Sequence, residues 1–514
     1  MARTIVVGLD GASWRLLDPW IEDGTLPNLA RLRAESSWAA HRSCLPPVTF
    51  PNWKCYSAGK DPGGFGVFWF ERVDLADGRI EVTDRRDFRT AELWDYLNDD
   101  GQRVGVVNMP TMYPPRELDG VVVAGGPDAV EGEYRSIDGE YTSPPGLAEQ
   151  LEERFDYSVH PEPLLSSNEE RGREVEAVLA LLDSRFETAL ALLEERDLSL
   201  VHVTLFYLNV LHHFFWDGEP TRRAWELVDG WLGRLADLED TNLVVMSDHG
   251  SAPVTTEFYI NEWLAEQGYQ ARQPTVDDTL RRVGLDRETL LSVAKRAGVV
   301  DLLARLVPER VQRLVPQRAG LKRDRKLEAV DLDATRAVAS GQGPVYVNPR
   351  FDVADVTEAL VADLRAVEDE HGPLFEEVYR GEELYSGPFL DEAPEVVLDQ
   401  RPGVHVNDGI GGGTVRTAPD RWAAENTPHG IFLATGPDFR AEGRLGTVSI
   451  LDLAPTLLAA HGCAVPTDMT GEVLPVLAGD REPQRRQPID PEAVDRVDGS
   501  AAVESRLEQL GYME

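Results

Sequence analysis

Short, fully apolar runs that end in a carboxylate constrain this chain most. Ile5-Val6-Val7-Gly8-Leu9 is followed at once by Asp10-Gly11. A run of that length with no polar alternation is the pattern of a strand buried on both faces, as in a parallel sheet covered by helices. Similar runs recur at Val104 to Val107, Val121 to Ala124, Ser199 to Leu205, Leu243 to Met246 and Ile431 to Ala434. Between them lie segments such as Leu93 to Leu97 and Val175 to Leu193, with apolar residues three and four apart, the spacing of a helix with one buried face. The alternation predicts an α/β fold, a doubly wound mixed, mostly parallel sheet flanked by helices. Ligands of such sheets collect outside the carboxyl ends of the strands, so Asp10 and the residues after Met246 are where chemistry is expected first.

The rhythm assigns 1–264 and 336–480 to a catalytic core. Residues 265–335, rich in Arg, Leu and Glu, read as a helical insertion or cap, and 481–514 as a polar linker with a C-terminal helix. No stretch approaches the roughly 18 uncharged apolar residues of a membrane span, and the N-terminus has no signal-peptide pattern. A cytoplasmic protein without a membrane partner is expected. Lys and Arg number 51 against 90 Asp and Glu, a net charge of −39. Nucleic-acid polymers are poor partners for such a surface, because binding them takes a cationic stripe. Only five residues are lysine (Lys54, Lys60, Lys295, Lys322 and Lys326), and the acids are spread along the whole chain. That pattern suits a salt-rich cytoplasm in which ions screen self-repulsion. Three cysteines without a CxxC imply neither a disulfide framework nor a structural zinc.

Four places carry residues with chemistry. Asp10 at the end of the first strand is either a ligand or the cap of the next helix. Thr49 stands in PPVTFPNW, a stiff turn with a helix starting at or near Pro51. A hydroxyl there is either an N-cap or a group held at a phosphate seat. Asp248 and His249 follow an apolar strand in VVMSDHG; adjacent side chains on extended chain point apart, so the pair suits two metals or a bent loop around one. Asn209 and His213, four residues apart, share one face if their segment is helical. Trp53, Phe68, Trp69, Phe70 and Trp216 lie near these motifs, either as core or as platforms for a base or sugar.

In order and spacing, IVVGLDGASW, PPVTFPNW, HHFFWD, VVMSDHG, GIFLATGP and LDLAPTLLAAHG resemble the alkaline phosphatase superfamily, and within it the type I phosphodiesterase/nucleotide pyrophosphatase family. The resemblance implies an alkaline-phosphatase-like fold and a bimetallic hydrolase of phosphodiester or pyrophosphate bonds in small phosphorylated substrates. It makes Thr49 the nucleophile, forming a phospho-threonine that water hydrolyses. Asn52 would donate to a phosphoryl oxygen, a contact whose loss typically costs roughly 3–4 kcal/mol of transition-state stabilisation. Asp10, Asp248, His249 and the Thr49 oxygen would hold one divalent metal, zinc or manganese.

The second metal set departs from the pattern. Asn209 stands where the family has Asp, with His213 in place, and aligning Gly430-Ile431-Phe432 puts Asn426 at the usual His position. A neutral amide oxygen is a weaker ligand than a carboxylate, so affinity there should fall. His212 or His429 could stand in. Lys54, two residues after Asn52, is a candidate catalytic cation in place of the missing metal, or else an exposed ion pair. Binding without turnover, and phosphoryl transfer to an alcohol, are the alternatives to hydrolysis. A sulfatase is disfavoured because Thr49-Phe50-Pro51 lacks the Cys or Ser that its oxidised nucleophile requires.

Overall fold

The computed structural model describes residues 2–127, 141–162, 171–273, 327–410, 413–419, 422–479 and 483–490. The strands that shape the site are β1 (Arg3–Gly8), β2 (Ser37–Arg42), β3 (Val104–Val107), β4 (Gly120–Val123), β5 (Thr142–Ser143), β6 (Leu200–Thr204), β7 (Thr241–Met246), β8 (Gly250–Pro253), β9 (Ala424–Thr427) and β10 (His429–Thr435). Each apolar run of the sequence became one of them. In space the main sheet runs β2-β10-β7-β1-β6-β3-β4-β5, with Gly443–Arg444 outside β2.

The middle of that sheet is parallel: β1 lies between β6 and β7, and β3 pairs with β6 and with β4. β10 runs antiparallel to both β2 and β7, which makes the sheet mixed. Ile5, Val6 and Val7 have no exposed surface, since helices cover both faces. The helices used below are α1 (Thr49–Ala58), α2 (Leu93–Asp99), α3 (Arg171–Glu195) and α4 (Tyr207–Phe215). α2 and α3 contain the two segments read as amphipathic from sequence. Gly8 is paired with Thr204 on one side and with Met246 on the other, so β1, β6 and β7 end together at one edge. Whatever follows them in the chain is therefore brought into one neighbourhood.

A smaller antiparallel sheet joins Ala337–Ala339, Pro344–Val347, Val396–Gln400 and Phe375–Arg380. The helix Val353–Arg365 packs on it around a separate core containing Leu360, Phe375 and Leu398. Most of the helical insertion expected at 265–335 lies outside the described residues, as does the C-terminal helix. The flanks of the insertion meet, Arg272 bridging to Val330. Part of the segment read as a linker is packed: Arg485–Arg486 pairs with Val465–Pro466. The chain beyond β10 also returns to α1, where the Thr470 and Gly471 amides donate to the Gly59 carbonyl at 2.9 and 3.3 Å. Among the described residues no helix is long and apolar enough to cross a membrane.

Gly8 is the one position in β1 where a side chain could not fit. A Cβ there would lie 2.5 Å from the Trp53 indole, which rests on the end of the strand. Gly8→Ala is expected to cost about 1–3 kcal/mol, the usual penalty for overpacking a filled core. Urea denaturation checks this, and an unchanged midpoint would mean that Trp53 can slide aside.

Candidate active site

Two residues beyond the common edge of β1 and β7, each strand delivers a carboxylate, Asp10 and Asp248, and neither is exposed. His249 turns back toward them. Its Nε2 lies 3.1 Å from Asp248 Oδ2 and 3.8 Å from Asp10 Oδ1. The adjacent Asp and His thus reach one point, the bent-loop arrangement. Asp10 does not cap the next helix, whose N-cap is Ser13. His249 Nδ1 lies 2.9 Å from the Gly250 carbonyl, and an N–H donated there leaves Nε2 a bare lone pair facing the carboxylates.

Among the described residues Asp10 Oδ1 and Asp248 Oδ2 have no hydrogen-bond partner. Acceptors facing one another in a dry interior are unfavourable unless a proton or a cation lies between them. Burial accordingly pushes the Asp10 carboxyl up to about 8, against Trp53 and Asn209, which pull it down. Asp248 is raised by burial and then by the charge of Asp10, while burial pushes His249 down to about 3. Two carboxylates and a neutral imidazole are a donor set that fits a divalent ion. Among the described residues this is the one group of three or more His, Cys, Asp or Glu whose ligand atoms lie within 4.8 Å of one another.

Thr49 is the first residue of α1, and its N-cap is the extended Val48. Pro51 falls in the first turn, where its missing N–H breaks no bond. The buried Thr49 Oγ1 lies 3.5 Å from His249 Nε2, at the positive end of the α1 dipole. Asn52 has both amide hydrogens committed, to the Pro46 and Val48 carbonyls at 3.0 Å each, and its Oδ1 accepts from the Cys44 amide at 2.8 Å. In this geometry Asn52 braces the turn that carries Thr49 rather than offering a donor to a ligand. Trp53, read from sequence only as core or stacking platform, donates its indole N–H to Asp10 Oδ2 at 2.9 Å. The glycine ending β1 was the sequence sign that something large lies there. Phe68, Trp69 and Phe70 are buried in packing, and Trp216 is half-buried.

Asn209 and His213 do share a face, one turn apart on α4, and Asn426 on β9 meets them. Asn209 Nδ2 lies 3.2 Å from His213 Nε2 and 3.3 Å from Asn426 Oδ1. His213 Nδ1 lies 2.9 Å from the Ala424 carbonyl, and its ring stacks on Trp422 at 4.0 Å. His429 does not join them. It is exposed at the start of β10, on the wall of a separate cavity of about 360 Å3 lined also by Trp14, Arg42 and Asp399. His212 is spent on packing, stacked on Trp225 and accepting its indole N–H at 3.1 Å.

Lys54 is neither a cation at the reacting group nor an exposed pair. Its Nζ lies 2.8 Å from Glu92 Oε1, with both side chains almost wholly buried. Glu92 also meets Arg116 at 3.3 Å and accepts from Ser57 Oγ at 2.7 Å, while Arg116 lies 2.9 Å from Asp95. Burial lowers the pKa of Lys54, and the charge of Glu92 offsets only part of that fall. Glu92, which burial alone would raise, is held at about 2 by Lys54 and Arg116. The network locks α1 onto α2. No sequence signal pointed to this, because Glu92 lies far along the chain from Lys54.

Lys54→Met leaves Glu92 without its nearest cation and is expected to cost about 3–5 kcal/mol. Chemical denaturation measures that loss, and an effect confined to reaction rate would return Lys54 to the site. Divalent-ion affinity is expected to climb as pH rises toward about 8, because the ion displaces a proton that burial holds on Asp10. Calorimetry in buffers of different ionisation enthalpy should register proton release at pH 7. No release would mean that the carboxyls are already ionised.

The model of the family described as type I phosphodiesterase / nucleotide pyrophosphatase matches residues 4–430. No curated protein matches the sequence. Phosphonoacetate hydrolase from Sinorhizobium meliloti 1021, in complex with phosphonoformate, is similar in structure with a TM-score of 0.56 and 16% identity, over 90% of this chain and 95% of that one. Its complex with phosphonoacetate gives 0.57 at the same identity and coverage. Murine ectonucleotide pyrophosphatase/phosphodiesterase 5 gives 0.51 at 13% identity, over 93% of this chain and 100% of that one. At such identities the structural likeness speaks for the fold, and the match over most of the chain speaks for the family. The chain belongs to the type I phosphodiesterase/nucleotide pyrophosphatase family of phosphoric ester hydrolases, on an alkaline-phosphatase-like fold.

Proposed function

We propose that this protein is a divalent-metal-dependent hydrolase of a phosphodiester, pyrophosphate or phosphonate bond in a small substrate, with Thr49 as nucleophile. The observation that carries the reading is Thr49 Oγ1 at 3.5 Å from His249 Nε2, beside two buried carboxylates with unpartnered oxygens. Asp10, Asp248, His249 and Thr49 would hold the ion, zinc or manganese. When bound, it supplies a lowered hydroxyl pKa and charge neutralisation at the phosphoryl oxygens. Thr49 Oγ loses its proton and attacks phosphorus in line. The bond to the leaving group breaks with its electron pair, and a phospho-threonine remains. Water then attacks phosphorus, and the Thr49 oxygen departs and regains a proton.

Asn52 acts by fixing the turn, Trp53 by orienting Asp10, and the N-terminal end of α1 by favouring negative charge. The solved neighbours support a small substrate: one holds phosphonoformate or phosphonoacetate, and the murine protein, as an inactive threonine-to-alanine variant, holds AMP. Binding without turnover is the second reading, favoured by the neutral Asn209–Asn426 contact. The acidic surface supports work in a salt-rich cytoplasm.

Hydrolysis of bis(p-nitrophenyl) phosphate in molar potassium chloride, with manganese or zinc added, tests the proposal. Thr49→Ala is expected to lower the rate by about a thousandfold or more while the fold is kept. A near-normal rate in the mutant would exclude the covalent route.

A further inference from the structure

We infer that the cavity of about 360 Å3 on whose wall His429 stands is a second ligand site, which takes the phosphoryl oxyanion of a small molecule. It lies behind the metal site and is separate from it. β8 and β9 form a two-stranded ribbon in which Ser251 pairs with Asn426 and Gly250 with Thr427. Successive side chains on a strand leave opposite faces. Asn426 meets Asn209 at 3.3 Å on the metal-site face, and Thr427, the next residue, lines the cavity on the other.

Thr427 is the first sign of a ligand. It is only 9% exposed, yet its hydroxyl has no hydrogen-bond partner among the described residues. Such a group is costly to bury unless something in the cavity meets it. The helix Trp14–Glu22 begins at the same wall. Its N-cap, Ser13, spends its hydroxyl on the Ser251 carbonyl at 3.0 Å and caps no amide. The first turn therefore keeps its unpaired amides and the positive end of the helix dipole, the usual attraction for an oxyanion. Arg15 in that turn is exposed and has no ion-pair partner among the described residues.

The opposite wall adds charge. Arg42 and His429 are paired directly across β2 and β10, so both side chains leave the same face of the sheet. Asp399 answers Arg42 at 3.0 Å, while no described residue hydrogen-bonds to the His429 ring. With Asp399 neutralised in this way, Arg15, His429, the Thr427 hydroxyl and the helix end remain as donors. Exposed Glu376 is the one carboxylate of the lining left against them. In a chain of net charge −39 that balance is a local reversal. Donors arriving from three separate elements suit a tetrahedral group with several oxygens, and charge-assisted hydrogen bonds to it are strong. The volume is that of a small-molecule pocket and leaves room for an organic remainder, whose hydroxyl Glu376 could accept.

The test is equilibrium dialysis of inorganic phosphate against the full chain in molar potassium chloride, where chloride competes for any purely electrostatic site. Metal is first removed with a chelator, so that no ion beside Asp10 and Asp248 draws the anion. One phosphate per chain is expected. Arg15→Gln, a change at the surface, and Thr427→Val, equal in shape without the hydroxyl, are each expected to weaken binding by about tenfold or more. Thr49→Ala is expected to bind phosphate as the unaltered chain does. Absence of binding, or unchanged affinity in Arg15→Gln, would overturn the assignment. So would a loss in Thr49→Ala as large as in Arg15→Gln, which would place the anion at the metal site. Should Thr427→Val fail to fold, Arg15→Gln alone decides. Glycerol 3-phosphate distinguishes the sources of the group: tighter binding than phosphate supports an organic phosphate, and equal affinity supports the free anion.

Discussion

Burying two carboxylates side by side is the constraint around which the rest of this structure is arranged. Asp10 and Asp248 have no exposed surface and stand at the ends of neighbouring in-register strands. Two such charges in a low-dielectric interior repel each other and are cut off from water. Neighbouring groups partly answer this, Trp53 donating to Asp10 and the Gly11 amide to Asp248 at 3.2 Å. What remains is a demand for positive charge, and among the described residues no lysine or arginine pairs with either carboxylate. The parallel arrangement of β1 and β7 creates the problem.

Thr49 is held by a second, separate device. Asn52 ties three backbone groups of the turn before α1, and Lys54 clamps the middle of the helix to Glu92 on the approach to α2. Position is thereby supplied from the protein side, whereas in the proposed function an ion would supply the charge. Paired and buried, Lys54 contributes rigidity to the helix that presents Thr49. A lone ammonium at the phosphoryl group would instead have contributed field.

How much of this was legible in the sequence follows from how local each cause is. Two-face burial leaves an uninterrupted apolar run, so the strand from Ile5 was readable, and so was its carboxylate. The antiparallel direction of β10 was not readable, because direction leaves no periodicity. Thr49, Asp248 and His249 stood out from their local motifs and took their expected roles from the resemblance, whereas the single-point geometry of Asp248 and His249 depends on a turn that only coordinates reveal. Asn52 and Lys54 were placed in the right segment with other roles, since their partners are backbone carbonyls and a distant glutamate. His429 was proposed on nearness in the chain to Asn426. One step along β9 into β10 moves it to the exposed wall of another cavity.

The return of the late chain to α1 bears on where the working unit ends. The stretch shared with the family stops at residue 430, inside β10. The strand that bridges β2 to β7 and the contacts that close the carboxyl end of α1 lie beyond that point: Thr470 and Gly471 on the Gly59 carbonyl, and Asp468 on Lys60. The site is therefore not portable as the shared stretch alone. A chain cut at 430 would sever the sheet beside Asp248 and open the far end of α1 to water. The smallest transplantable catalytic body extends at least through residue 471.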